Sequence, residues 1–312
     1  MKKLIKEIKR FAAIDLGSNN CRLVIVEIIN SEIKILQNYS QILNLGKNLS
    51  FSNEFSDEII NKTLKVFKII SEKLDLYKVK KYRCIATEAC RISINAKELI
   101  EKILKYTGIE VEIISSYEES RLCLKSCSNH KNLDYDFNMI FDIGGGSTEI
   151  IMTNVLSEHQ NNNFDYISIP LGVVNYSEKV FLSSEEKIKI QLKNQLNLIK
   201  NKNEFRHKKI NVIGSCGTIT SLCAIHRKLS YYEKKKVDDF IMSISQLRKS
   251  CELVKKMNLD EKINHPCIGH HRYELLDCGI IILEEIINNW DIQKILVSDR
   301  GLREGIIQDF IN

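Results

Sequence analysis

Asp142, Glu149 and the glycines Gly144, Gly145 and Gly146 between them are the residues of this sequence best suited to chemistry. Apolar residues lead from Met139 up to Asp142, and a second apolar run resumes after Glu149, which reads as strand, tight turn, strand. Three successive glycines leave the backbone free to take positive φ and strip the turn of Cβ atoms, so N–H groups can approach an anion closely. Ser147 and Thr148 add hydroxyl donors. Two carboxylates beside such a cradle would repel phosphate unless a cation stood between them. A hard divalent ion such as Mg²⁺, held by one or two carboxylates plus phosphate oxygens and water, resolves that conflict. Asp142 and Glu149 are therefore the metal candidates, and Gly144, Gly145, Gly146, Ser147 and Thr148 the phosphate candidates.

The pattern occurs once before. Phe11 to Leu16 is an apolar run ending in Asp15, Gly17 and the small polar residues Ser18 and Asn19 follow, and a returning strand starts near Arg22. A lone Asp-x-Gly triplet is usually a plain turn. Two of them in matching strand contexts indicate an internal duplication, two similar domains each offering a phosphate-holding turn. Asp15, Gly17, Ser18, Asn19 and Arg22 join the phosphate candidates on that ground.

Three further stretches sit at strand-to-helix junctions. Gly214 to Leu222 runs from a strand into a small-residue turn, so free N–H groups at the helix start make Ser215, Gly217 and Thr218 phosphate candidates. Ala86 to Arg91 ends in an arginine that alone reads as a surface cation, but in this company reads equally as a phosphate contact. Glu118 and Glu119 open a helix. Adjacent glutamates there fit ordinary dipole complementation, and equally a carboxylate placed to take a proton from an attacking water. No Gly-x-x-x-x-Gly-Lys-Ser/Thr loop occurs, which excludes a P-loop mechanism.

These residues need strands to end beside them. The spacing predicts strands over Phe11–Ile29 and Ser31–Ser40 and an amphipathic helix over Asn53–Leu76. It then predicts a strand Lys81–Ala86, a helix Asn95–Thr107 and a strand Val111–Ile114. A polar stretch from Ser126 to Phe137 is the linker. Beyond it, strands are expected at Tyr166–Ile169, Lys209–Gly214 and Lys294–Val297, and helices over 184–208, Ile268–Asn289 and after Gly305. Pro170, Leu171 and Gly172 form a turn, and the charged loop Ser298 to Gly305 belongs at a site edge. The resulting division is 1–125 and 126–312, with the last helix able to pack back on the first domain.

At 312 residues, 44% hydrophobic and 28% charged, the chain has the size and balance of a two-domain globular enzyme. Its net charge of +6 favours acidic partners such as polyanions without demanding nucleic acid. No Arg-rich or aromatic-interleaved stripe points to nucleic acid. No run long enough for a membrane span or a signal peptide occurs, so a cytoplasmic protein without membrane contact is expected. Ten cysteines without a Cys-x-x-Cys pair read as reduced, mostly buried thiols. His265, Cys267, His270 and His271 match no zinc spacing and read as loop polarity.

In order, Ala13-Ile-Asp-Leu-Gly-Ser-Asn19, Ala86-Thr-Glu-Ala-Cys-Arg91, Glu118-Glu-Ser-Arg121, Phe141 to Glu149, Gly214 to Ile219 and Ser298 to Gly305 resemble the exopolyphosphatase/guanosine pentaphosphatase (Ppx/GppA) family, from about residue 11 to 308. The resemblance implies an α/β fold of two ribonuclease H-like domains around a central cleft, as in the actin, sugar kinase and Hsp70 group. It implies that Glu119, the second glutamate of the pair, is the base, and that Asp142 and Glu149 are associated with Mg²⁺ or another divalent cation. The implied activity is hydrolysis of the terminal phosphoanhydride of inorganic polyphosphate. Alternatives are a guanosine pentaphosphate phosphohydrolase, a non-catalytic polyphosphate or alarmone sensor, and a nucleotide-binding switch or kinase of the same superfold. The assembly implied is a homodimer.

Two departures stand out. Cys267-Ile-Gly-His-His-Arg272 replaces a segment that in the family is often Gly-Leu-x-x-x-Arg. The sequence also ends after the second domain and holds no His-Asp dipeptide, so the expectation is a protein without the C-terminal helical extension of long family members, acting on short chains or with low processivity.

Overall fold

The computed structural model describes residues 9–29, 32–128, 133–156, 163–268 and 272–311. The chain divides into two compact units, one made of residues 1–126 with Leu302–Asn312, the other of Cys127–Gly301. His270 and His271 lie outside the described residues, as do positions 129–132 of the predicted linker.

Each unit is built on one mixed sheet. In the first, β1 (Lys9–Leu16), β2 (Asn20–Ile29) and β3 (Glu32–Ile42) form an antiparallel meander, and β4 (Lys81–Ala86) and β5 (Glu112–Ile113) add parallel to β1, in the order β3-β2-β1-β4-β5. In the second, β6 (Phe137–Ile143), β7 (Thr148–Asn154) and β8 (Phe164–Ile169) repeat the meander. β9 (Ile210–Gly214) and β11 (Lys294–Val297) repeat the parallel additions, and a short β10 (Ile241–Ser243) pairs antiparallel outside β11, giving β10-β11-β9-β6-β7-β8. The parallel steps require crossovers, and helices supply them, Asp57–Leu76 before β4 and Glu185–Lys200 before β9.

The central strands carry continuous apolar runs because both of their faces are covered. Met139, Ile140 and Phe141 of β6 are fully buried, as are Ala12, Ala13 and Ile14 of β1. The outer strand β3 is largely exposed, which is why its sequence alternates with polar residues. One face of the first sheet packs on the helices Asp57–Leu76 and Ala96–Thr107 through Phe67, Ile70, Leu99 and Ile103. The other face is covered by the helices Ser116–Ser126 and Leu302–Ile311, where Ile306 and Ile307 join Ala13, Val24, Ile85 and Leu122. Burying each such isoleucine stabilises by about 1.5–3 kcal/mol. Phe310 stacks on Phe11 with ring centroids 5.0 Å apart. Gly305 lets the two helices touch, since a Cβ there would lie 2.2 Å from the carbonyl oxygen of Leu122.

Boundaries shift from the sequence expectation where caps decide them. Ser56 accepts a hydrogen bond from the Ile59 N–H and starts its helix at Asp57, later than expected. The helix expected over 184–208 stops at Lys200, followed by a short 3₁₀ turn Asn203–Phe205 and by His207 at φ 59°. The helix expected from Ile268 starts at Tyr273. The helix Ile244–Lys256 was not anticipated, although Ser243 and Gln246 form a reciprocal capping box at its start. All ten cysteines are free thiols and nine are buried. Among the described residues no helix is long and apolar enough to cross a membrane.

Candidate functional site

The two Asp-x-Gly hairpins have the same register, residue by residue. Asp15 lies opposite Arg22 across β1 and β2, and Asp142 lies opposite Glu149 across β6 and β7. Gly17 N–H donates to the Asn20 carbonyl at 2.9 Å, and Gly144 N–H donates to the Ser147 carbonyl at the same distance. Each turn is then held from behind by the segment that follows the third strand. In the first unit the Ser18 carbonyl accepts from Gly46 N–H and the Asn19 carbonyl from Leu43 and Asn44 N–H. In the second, the Gly144 and Gly145 carbonyls accept from Val173 and Val174 N–H, and the Gly146 carbonyl accepts from the Asn175 side-chain amide at 2.8 Å.

That back-tethering fixes which way the peptides face. With the carbonyls drawn toward residues 172–175, the Gly145 and Gly146 N–H groups meet no protein acceptor among the described residues. Donors held like this, with no side chain over them, are what an anion needs. Gly144 does not adopt positive φ, contrary to expectation. What the turn uses is the missing Cβ. At Gly172 the same need is sharper, because a Cβ there would lie 2.5 Å from the Gly144 and Gly145 carbonyl oxygens.

Asp142 and Glu149 are direct cross-strand partners, so their side chains stand on one face of the sheet with Cβ atoms about 5 Å apart. Glu149 is 2% exposed, and the Ser168 hydroxyl on β8 donates to its Oε1 at 2.8 Å. Two opposed carboxylates, one of them buried, disfavour each other's charge, which a cation between them would relieve, and a hard oxygen donor set of this kind suits Mg²⁺. Among the described residues no group of three or more His, Cys, Asp or Glu could hold a metal, so phosphate oxygens and water would have to complete the shell.

β6 and β9 run parallel, with Phe141 paired to Gly214 and Ser215 N–H donating to the Phe141 carbonyl at 2.9 Å. This brings the turn before the helix Gly217–His226 to the end of the strand that carries Asp142. Cys216 there has its thiol pushed up to about 12, by burial first and by the Asp142 charge second. Thr218 opens the helix and packs against Gly279, where a Cβ would lie 2.2 Å from its hydroxyl oxygen. The loop after β11 lies against the same turn. Ser298 N–H donates to the Gly214 carbonyl, the Ser215 hydroxyl donates to the Arg300 carbonyl at 2.6 Å, and the Arg300 side chain pairs with Asp238 and Asp239.

In the first unit the Thr87–Arg91 turn lies against the first hairpin. Thr87 N–H donates to the Leu16 carbonyl, and the Ser18 hydroxyl accepts from Ala89 N–H at 3.2 Å. Arg91 is committed on both sides of its guanidinium. Nε donates to Glu88 Oε2 at 2.8 Å, and Nη1 donates to Glu119 Oε2 at 2.7 Å and to the Ile114 carbonyl at 3.2 Å. Glu119 is 8% exposed on the helix Ser116–Ser126. Its neighbour Glu118 faces the other way, into a network with Arg83 and Arg121 that continues to Asp309 on the final helix.

Asp15 is 9% exposed, and burial raises its carboxyl above the usual range, with Arg22 and Arg303 pulling it back and Glu304 pushing the same way as burial. Its Oδ1, together with the Oδ1 atoms of Asn19 and Asn20, is buried without a hydrogen-bond partner.

The sequence candidates therefore gather in two sets. Asp15, Gly17, Ser18, Asn19, Arg22, Arg91 and Glu119 belong to the first unit, and the second holds Asp142, the Gly144–Thr148 turn, Glu149, Ser215, Gly217 and Thr218. Several hydroxyls hold the fold as well, since Thr148 is fully buried and donates to the Leu171 carbonyl at 2.6 Å. Sequence reasoning passed over Glu88, Ser168, Gly172 and Asn175. Glu88 was findable, because it precedes Arg91 by three positions on one helix face. Asn175 was not, because its partner is a backbone carbonyl 29 positions earlier.

The two repeated sheets, each with a hairpin turn at its strand ends, define the actin-like two-domain fold. The Ppx/GppA phosphatase family model matches residues 24–312, and the chain belongs to that family. A crystal structure of the Aquifex aeolicus Ppx/GppA family member is similar with a TM-score of 0.79 and 26% identity, covering 97% of this chain and 98% of that one. An exopolyphosphatase structure from Cytophaga hutchinsonii shares the fold with a TM-score of 0.84 at 22% identity, covering 97% and 98% of the two chains. The bifunctional 3-dehydroquinate synthase/phosphatase of Fusobacterium nucleatum is 29% identical over 95% of this chain, which spans only 46% of that relative's length.

Proposed function

We propose that the protein is a phosphoanhydride hydrolase that removes the terminal phosphoryl group of inorganic polyphosphate as orthophosphate. The observation that carries this is the Asp142–Glu149 carboxylate pair at the mouth of a turn whose carbonyls are all tied back. Free amides beside paired acids fit a phosphate with its counter-cation and little else. Membership of a phosphatase family, and a relative whose name includes phosphatase, support the same chemistry.

Asp142 and Glu149 would hold Mg²⁺, which when bound supplies charge neutralisation at the phosphoryl oxygens. The Gly145 and Gly146 N–H groups take the oxygens of the transferred phosphoryl group, where preorganised donors contribute most. Glu119 accepts the proton of the attacking water. Its carboxylate has two oxygens, and one of them accepts from Arg91 Nη1 at 2.7 Å. Arg22, opposite Asp15, offers a cation to the substrate's phosphates at the first turn.

Orthophosphate release measured with Mg²⁺ from polyphosphate, guanosine pentaphosphate and ATP in parallel tests the proposal. Guanosine pentaphosphate ends in the same phosphoanhydride, so its arm decides the substrate. Polyphosphate should be cleaved and ATP spared, with EDTA stopping the reaction. Silence on both long phosphate substrates would overturn the proposal. Glu119→Gln should cut the rate roughly 10²–10⁴-fold while substrate still binds, and near-full turnover in that variant would remove Glu119 from its role.

A further inference from the structure

We propose that Glu88 is a positioning residue for the hydrolytic step: by sharing the guanidinium of Arg91 it sets the orientation and basicity of the Glu119 carboxylate. The inference rests on the role proposed above for Glu119.

Glu88 opens the helix Glu88–Ile92 directly after β4 and is 9% exposed. A carboxylate removed from water needs charged or hydrogen-bonding partners. Arg91 provides them: Nε donates to Glu88 Oε2 at 2.8 Å, and Nη2 lies 2.7 Å from the same oxygen as an ion-pair contact without hydrogen-bond alignment. The plane of the guanidinium is then fixed, and its remaining nitrogen, Nη1, is aimed at Glu119 and the Ile114 carbonyl. An arginine can do this because its donors form a rigid fork; a lysine offers one point charge.

A plain structural ion pair would be complete with Glu88 alone. Here a second buried carboxylate, from a different helix, is brought to the same cation, so Arg91 divides its charge between two acids. That division weakens the hold of Arg91 on Glu119 and keeps Glu119 more basic than a one-to-one pair would. Other charges on the elements packed here have partners of their own. Arg83 of β4 and Glu112 of β5 pair with each other, and Arg83 also meets Glu118. Asp309 of the final helix meets Arg121 and Lys125, and the charges of Arg303 and Glu304 act on Asp15.

Glu88→Gln keeps the volume and removes the charge. Arg91 then acts on Glu119 alone, so Glu119 should titrate at lower pH and become a weaker base. Two measurements read this. Carbon-13 carboxyl NMR of glutamate-labelled protein, with the Glu119 signal identified by its loss in Glu119→Gln, should show the Glu119 titration displaced downward in Glu88→Gln. In the phosphate-release assay, kcat should fall about tenfold, a fraction of the roughly 10²–10⁴ a positioned base contributes. KM should stay unchanged, and the acidic limb of kcat/KM should move to lower pH. Glu88→Asp retains the charge and should hold the titration closer to wild type.

A Glu119 titration that superimposes on wild type in Glu88→Gln would overturn the proposal, as would a rise in KM with kcat intact. If Glu88→Gln does not fold, Glu88→Asp decides: its shorter reach should displace the Glu119 titration part of the way downward and lower kcat less than tenfold with KM unchanged, and a titration and kcat that both superimpose on wild type overturn the proposal. If the wild-type protein releases no orthophosphate from any substrate, the hydrolase role fails, while the NMR titration still decides whether Glu88 governs Glu119.

Discussion

The two hairpins share their register, turn closure and tethering from behind, and differ in the residue opposite the aspartate. In the first unit that residue is Arg22, so the acid of Asp15 meets a base; in the second it is Glu149, so the acid of Asp142 meets another acid. One duplicated scaffold has thus been given two electrostatic characters by a single cross-strand position. A turn with its own counter-charge can meet phosphate directly, whereas a doubly acidic turn can do so only with a metal between. On the proposed function, the pair across the ladder decides how each copy would handle a polyanion within a common frame.

The strongest way to break this contrast is to make the second hairpin copy the first. Glu149→Arg should abolish Mg²⁺ stimulation and lower orthophosphate release by about 10³-fold, since metal stabilisation of phosphoryl charge is worth several kcal/mol. Activity that still rises with Mg²⁺ in this variant would show that the acidic pair is not the metal site.

The tethers can be compared next. An added methyl at Gly172 would meet backbone carbonyls at 2.5 Å, which no side-chain adjustment relieves, whereas one at Gly46 would lie 3.0 Å from the Ser18 Cβ. Gly172→Ala should destabilise by about 3 kcal/mol and Gly46→Ala by about 1 kcal/mol. Denaturant midpoints should order the two, and equal losses would mean the turns are supported alike.

The smallest expected effect concerns Asp15. Its carboxyl titrates in the folded state above its ordinary 3.8, chiefly because of burial. A raised folded value means that the contribution to stability is present below about pH 3.8 and is lost as pH rises through the folded value. Asp15→Asn removes that loss. The variant should therefore be slightly more stable than wild type at neutral pH, with the gain disappearing in acid, as unfolding curves between pH 3 and 8 would record.

Much of this was legible in the sequence because it was periodic. Apolar runs ending in Asp15 and Asp142 fixed the inner strands, and their repetition fixed the duplication. What escaped was mostly non-local. Asn175 supports Gly146 through one amide, and no pattern near either residue signals it. Glycine at 144 suggested unusual dihedrals when the demand was for space. Arg91 read equally as a surface cation and as a phosphate contact, because one of the side chains that occupy it, Glu119, lies 28 positions further on. The helix Ile244–Lys256 is a different case, since its capping residues Ser243 and Gln246 are a local signal that was present and unused.

The last helix belongs to the first unit while the segment just before it belongs to the second. During translation the first sheet leaves the ribosome long before Ile306, Ile307 and Phe310 exist, so one of its faces has only the helix Ser116–Ser126 over it while the second unit is being made. Completion of the earliest part of the molecule thus waits on residues some 180 positions further along the chain, those from Leu302 onward. A nascent chain stalled just short of Leu302 should expose a sticky apolar surface to chaperones, and release should conceal it.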